Sequence, residues 1–234
     1  MDLNVSPEEY SELSNYLSTA CGIELGDNKQ YLVNSRLRSV VSKHGFNSIG
    51  DLLLSIKNDG KAVLRQQLID AMTTHETLWF RDQYPYEALK RMILPELARA
   101  HLPNICIWSA ACSSGQEPYS ISMIIEEYRR EYPKHPLPDV QVVATDISPT
   151  ILKSAREGIY DDIVMASCGF LISYIIIRHG RIFHSSHRNR SLVITHRLQG
   201  KQQGEQSMVL GEHGARAMVS VFSFSSLIRL RRKT

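Results

Sequence analysis

No apolar run in the 234 residues is long enough to span a bilayer. The first residues, MDLNVSPEEY, lack the basic-then-apolar pattern of a secretory signal. Both absences point to the cytoplasm. The four cysteines, Cys21, Cys106, Cys112 and Cys168, form no CxxC pair. That argues against a zinc site or a disulfide framework and for reduced thiols or core residues. A GxGxxG fingerprint is missing too, which weakens any dehydrogenase-like reading. Aspartate is absent after residue 166. Residues 1–166 carry 16 Lys+Arg against 22 Asp+Glu, whereas residues 167–234 carry 11 against 2 and hold five of the nine histidines. The formal net charge of +3 hides this shift, which marks a different kind of sequence. What is present, 43% apolar and 22% charged residues, is the composition of an ordinary globular protein with a buried core.

The first part, 1–72, reads as a small all-helical domain. Ser6-Pro7-Glu8-Glu9 is a start signal, with a capping serine, a first-turn proline and acids at the positive end of the helix dipole. Tyr10, Leu13, Tyr16 and Leu17 follow at helical spacing. Asp27 is placed to cap a second helix carrying Tyr31, Leu32, Leu37 and Val40, with Gly45 as its stop. A third helix spans Ile49 to Ile56, and a fourth runs through Val63, Leu64, Leu68, Ile69 and Met72. Residues 73–90 form a linker, TTHETLWFRD leading into a helix over 84–101.

Over 91–166 the pattern becomes strand, turn, helix, strand. Ile105–Ala110 is a short apolar strand, Cys112–Gln116 a small-residue turn and Glu117–Arg130 a helix. Val140–Thr145 is a second strand ending in Asp146, and Ser148-Pro149 opens another helix. This is a βαβ unit, hence an α/β fold with a parallel sheet. Residues 167–234 read as an atypical basic tail in which Ser173–Ile177 is a strand candidate.

Three segments carry chemistry. In Trp108-Ser-Ala-Ala-Cys-Ser-Ser-Gly-Gln-Glu-Pro-Tyr119, small residues lie between strand and helix, and Gly115 is free to take an unusual backbone angle. Such a turn lets a ligand approach the main chain and the helix N-terminus, although any αβ protein needs a small turn here. Asp146 ends the second strand, where a carboxylate can accept both hydroxyls of a ribose; capping the next helix is its alternative job, for which Ser148 is better placed. Together they argue for an adenosine-type cofactor without separating a nicotinamide from S-adenosylmethionine. Thr73–Asp82 combines hydroxyls, an imidazole, a guanidinium and two aromatics; Trp79 and Phe80 read as core and the polar residues as functional.

In this order and spacing, TTHETLWFRD, WSAACSSGQEPYS, ATDIS and Gly158-Ile-Tyr160 resemble the chemotaxis receptor methyltransferases of the CheR type, as does the earlier CGIELGDNKQYLVNSRL. The resemblance implies a helical N-terminal domain followed by a Rossmann-like methyltransferase domain. It implies methyl transfer from S-adenosyl-L-methionine to glutamate side chains of methyl-accepting receptors, by a monomer that contacts acidic receptor helices. By position, His75, Thr77 and Arg81 contact cofactor or substrate, and Glu117 takes the cofactor's methionine end. Asp146 takes the ribose, and Ala110, Cys112 and Gly115 belong to the stretch that supplies backbone contacts. Arg81 is the residue expected to hold a carboxylate, since its planar fork fits that group bidentately; a structural pair with Glu76 or Asp82 is the alternative. His75 stands where the family usually has asparagine. Arg36, Arg38 and Lys43 form a basic cluster for receptor binding, or else an ordinary solvated face.

After residue 166 the family's motifs stop, and nothing like FCRNVLIYF follows. The tail reads as the product of a reading-frame disruption in a longer gene. The competing reading, a basic tail for membrane or nucleic acid, lacks an amphipathic or aromatic-basic pattern. An incomplete sheet implies an open edge, poor stability and weak or absent catalysis, so the alternative to the enzyme is a receptor- or cofactor-binding module without turnover. Reading the coding DNA tests this: without an FCRNVLIYF-like segment in another frame, the idea fails.

Overall fold

The computed structural model describes residues 4–59, 62–160, 191–196, 217–222 and 229–232. It forms two compact units, Met1–Thr74 and His75–Thr234.

The first unit holds α1 (Pro7–Cys21), α2 (Gln30–Lys43), α3 (Ile49–Asp59) and α4 (Ala62–Met72). The start of α1 is a capping box: the Glu9 amide donates to Ser6 Oγ at 3.2 Å, and the Ser6 amide donates to Glu9 Oε2 at 3.1 Å. The other Glu9 oxygen accepts from the Gly50 amide at 2.8 Å, tying the start of α1 to the start of α3. Burial would raise the Glu9 carboxyl, but the Ser6, Gly50 and Ser48 donors outweigh it and hold the group below its ordinary value. Gly22, at φ +74°, ends α1.

Helix α2 differs from expectation at its start. Its N-cap is Lys29, with no side-chain cap, and Asn28 sits at φ +61°, so the turn carries Asp27 past the capping position. Tyr31 points to solvent, and Val33, Leu37, Val40 and Val41 make the buried stripe instead. They pack with Leu13, Leu17, Leu52, Leu53 and Leu68 into one core.

Arg36 is committed within this unit. Its guanidinium donates to the Met72 carbonyl at 2.7 Å and to Thr74 Oγ1 at 2.9 Å, satisfying the C-terminus of α4. Arg36→Ala is therefore expected to lower stability by roughly 1.5–3 kcal/mol, measured as a lower urea midpoint. The basic cluster is also not one face. At about 100° per residue, Arg38 and Lys43 lie roughly 140° apart on opposite flanks of the exposed side of α2.

The second unit opens with α5 (Tyr84–Ala88) and α6 (Leu94–Arg99), joined by a π-helical turn, Leu89–Ile93. Sequence periodicity reads these as one helix. Pro95 explains the widening: it has no amide to donate and its ring would strike the preceding turn, and the Leu94 amide bonds back five residues to the Leu89 carbonyl.

Then come β1 (Asn104–Ala110), α7 (Gln116–Glu131), β2 (Asp139–Thr145) and α8 (Pro149–Glu157), followed by β3 (Ser191–His196), β4 (Ala217–Phe222) and β5 (Arg229–Arg232). The sheet order is β3-β2-β1-β4-β5. Strand β1 runs parallel to both β2 and β4, while β3 and β5 pair antiparallel at the two edges. Alternate residues Ile105 and Ile107 of β1 and Val140 and Val142 of β2 are buried with Leu94, Leu97, Ile121 and Ile125.

This sheet corrects the expectation of an open edge beside β1 and β2. The segments SLVITH and AMVSVF, rich in β-branched residues, supply their outer neighbours, and the strand order therefore reverses direction around β1. Ser173–Ile177 lies outside the described residues.

Candidate functional site

In an open α/β sheet, ligands bind beyond the carboxyl ends of the strands, where the strand order switches direction. That point here is the turn after β1. Ala111 has φ +57°, Ser113 φ +51° and Gly115 φ +100°. Alternate residues of the turn are left-handed, the spacing of a GxGxG loop, although only the last is glycine. Holding alanine and serine there is costly and requires the surroundings to enforce it.

Those surroundings are visible. The Cys112 amide donates to the Thr145 carbonyl at 2.9 Å, and the Gly115 amide to the Cys112 carbonyl at 3.0 Å. The Ser113 amide donates to Asp146 Oδ2 at 2.8 Å, and the Ser148 amide donates to Asp146 Oδ1 at 2.9 Å. Asp146 is buried, and it joins the β1 turn to the end of β2. Capping of α8 falls to Ser148, whose Oγ accepts from the Ile151 amide at 3.3 Å. Each Asp146 oxygen thus accepts one amide, and a carboxylate oxygen offers two acceptor positions.

Gly115 is the N-cap of α7, and among the described residues no side chain caps the helix. Glu117 is in its first turn and is 7% exposed. Ser109 donates to Glu117 Oε1 at 2.6 Å. Burial pushes the Glu117 carboxyl above its ordinary value, only partly offset by that hydroxyl. A small open pocket faces it, lined by Glu76, Thr77, Leu78, Arg81, Tyr86, Ala111 and Glu117. Arg81 Nη2 lies 3.6 Å from Glu76 Oε1, and Nε lies 4.0 Å from Asp82 Oδ2. These are loose, partly exposed pairs of low worth, so the guanidinium can turn to another carboxylate at little cost.

The segment before α5 is anchored on α7. The Phe80 amide donates to Ser120 Oγ at 3.2 Å, and the Phe80 ring meets Tyr86 edge-on at 5.2 Å. Trp79 is buried and packs edge-on against Tyr160 at 4.9 Å. The structure thus brings Thr77, Arg81 and Glu117 together around the pocket, with Gly115 and Asp146 in the adjoining turn. Ala111 rather than Ala110 lines the pocket. His75 is not among the lining residues; its Nδ1 is buried and has no hydrogen-bond partner among the described residues. Cys112 turns inward, packing with Ala144, Leu152 and Ala155. Its amide is already spent on Thr145, and burial pushes its thiol up to about 12, so it serves packing rather than a ligand.

Residues 75–197 match the family model described as CheR methyltransferase, SAM binding domain, and residues 8–73 match CheR methyltransferase, all-alpha domain. The chain belongs to the CheR methyltransferase family. It is 47% identical over 159 residues to chemotaxis protein methyltransferase Cher2 of Pseudomonas putida, covering 68% of this chain and 58% of that protein. It is 50% identical over 151 residues to chemotaxis protein methyltransferase 1 of Pseudomonas aeruginosa, covering 64% and 55%. Chemotaxis protein methyltransferase 1 of Vibrio cholerae is 48% identical over 163 residues, covering 70% and 58%. The chain therefore spans little more than half the length of these relatives. The match to the CheR methyltransferase, SAM binding domain runs to residue 197, past the last family motif at Tyr160.

Within this CheR site, Gly115 has no room for a side chain. A Cβ there would lie 2.8 Å from Tyr160 Oη and 3.0 Å from Ala155 Cβ, at a φ that L-residues avoid. Gly115→Ala should cost about 2 kcal/mol or more, read as a lower thermal midpoint of the full chain. Ser109 and Tyr160 stand inside the motifs that carry the resemblance but had no role read for them, and Tyr86 was not singled out. Ser109 had one available signal: it is the polar residue on the inward face of an otherwise apolar strand.

Proposed function

We propose that this chain binds S-adenosyl-L-methionine at the β1 turn and that the activity of the whole protein is methyl transfer to glutamate side chains of chemotaxis receptors. The observation that carries the reading is the pair of buried carboxylates, Glu117 and Asp146, attached to one strained turn at the switch point of the sheet. A buried carboxylate facing a pocket is costly until a cation joins it, and the ammonium of an amino acid fits Glu117. Two carboxylate oxygens with spare acceptor capacity fit the adjacent hydroxyls of a ribose at Asp146.

When bound, the cofactor supplies an activated sulfonium methyl. A glutamate carboxylate is already a nucleophile at neutral pH, so the site needs to position groups and exclude water rather than supply a strong base. Arg81 holds a carboxylate through its planar fork, and Thr77 adds a contact from the same segment. Receptor recognition falls to Arg38 and Lys43 on α2, the Arg36 guanidinium being bonded to α4. The protein works as a cytoplasmic monomer in this reading; among the described residues no helix is long and apolar enough to cross a membrane.

The alternative to this reading is a module that binds cofactor or receptor without turnover. Incubation with labelled S-adenosylmethionine and receptor cytoplasmic domain separates the two. Base-labile label on the receptor supports the enzyme; cofactor binding without label supports the module.

A further inference from the structure

We infer that Tyr160 is the positioning residue that holds the cofactor turn and the Thr77–Arg81 segment in register with each other, an inference that rests on the cofactor reading above. Four contacts carry it. The Tyr160 hydroxyl donates to the Ser114 carbonyl at 2.7 Å. Its ring meets Trp79 edge-on at 4.9 Å and Tyr119 at 6.0 Å. Its hydroxyl also stands in the space that a Cβ on Gly115 would need, 2.8 Å away.

These contacts span three separate segments. Ser114 and Gly115 belong to the turn, Tyr119 to the first turns of α7, and Trp79 lies between the pocket residues Thr77 and Arg81. Tyr119 is itself fixed, its hydroxyl donating to the Ala155 carbonyl at 2.9 Å. Tyr160 follows two residues after Gly158, which ends α8 in the left-handed conformation. The close of α8 therefore delivers the tyrosine to the back of the turn. By bonding the Ser114 carbonyl, Tyr160 fixes the orientation of the peptide that leads into the α7 N-terminus. Ser114 lies between two left-handed residues, Ser113 and Gly115, where a loose carbonyl would let the turn relax. Tyr160 touches no ligand in this account; it acts through the turn and through Trp79.

The hydroxyl and the ring have separable jobs, and two variants of the full chain test them. Tyr160→Phe keeps the ring and removes the bond. Amide exchange in peptides covering 110–118 should then quicken, and S-adenosylhomocysteine binding by calorimetry weaken, each by about fivefold to tenfold. Exchange in α1–α4 should not change. Tyr160→Leu should do the same and also shift the Trp79 emission, read in a Trp108→Phe background so that one indole reports. A purely structural tyrosine would lower the melting temperature without this local exchange signature. If Tyr160→Phe matches the parent in both exchange and affinity, the inference is wrong. If the parent itself binds no S-adenosylhomocysteine, the cofactor reading fails, and exchange at 110–118 alone decides whether Tyr160 holds the turn.

Discussion

Asp146→Ala should weaken S-adenosylhomocysteine binding by at least about a hundredfold, because hydrogen bonds to a charged acceptor are worth roughly 1.5–3 kcal/mol each and the ribose offers two. The same change removes the bonds from the Ser113 and Ser148 amides. These bonds hold Ser113 at φ +51°, so their loss leaves two donors unpaired and a strained turn unsupported. Stability should fall by roughly 2–4 kcal/mol. Asp146→Asn is the sharper probe. One of its amide positions must present a donor to a backbone amide that is itself a donor, so one bond becomes a repulsion while the other survives. Calorimetry and a denaturant titration on both variants check this, with Asn expected between the parent and Ala on both measures.

Glu117→Gln should have opposite effects on binding and folding. Gln keeps the size and can still accept from Ser109, but it cannot provide the charge an ammonium needs. Binding of S-adenosylhomocysteine should fall roughly 10- to 150-fold. Stability without ligand should rise by roughly 1–3 kcal/mol at pH 7.5, because a buried carboxylate with one hydroxyl donor is costly. The sign follows from the raised pKa of Glu117 in the fold. A raised carboxyl stabilises the fold while it is protonated, below the unfolded value of about 4.5, and that contribution is lost as pH climbs through the folded value. Parent and Gln variant should therefore have similar stability at low pH and diverge above the ordinary carboxylate range. Cofactor affinity of the parent should rise over the same window, as the carboxylate forms. Melting curves from pH 4 to 8 with and without S-adenosylhomocysteine measure both trends; a Gln variant less stable than the parent at pH 7.5 would contradict the reading.

The parts of the fold legible in the sequence were those set by local rules. Ser6 and Glu9 announce their capping box, and Ile105, Ile107, Val140 and Val142 announce a strand pair by alternation. Residues Glu117 and Asp146 stand out because an acid at the start of an apolar helix and at the end of an apolar strand needs a reason. Where tertiary packing outweighs local preference, the sequence was silent or misleading. Asp27 looks like a cap, but left-handed Asn28 shifts the helix start beyond it. Ala111 and Ser113 conceal a glycine-like backbone, since nothing in a small polar residue signals a positive φ enforced by bonds to β2 and Asp146. Arg36 looks like part of a docking face, and only the placement of α4 shows its charge spent on Met72. Tyr160 acts across 46 residues of sequence on Ser114, a separation that no periodicity can show.

The most direct test of the account is isothermal titration of the purified 234-residue chain with S-adenosylhomocysteine, alongside Asp146→Ala and Glu117→Gln. The parent should bind saturably, one to one, in the micromolar range, and binding should be lost or strongly weakened in both variants. Absence of binding by a folded parent, or equal binding by all three chains, would contradict it.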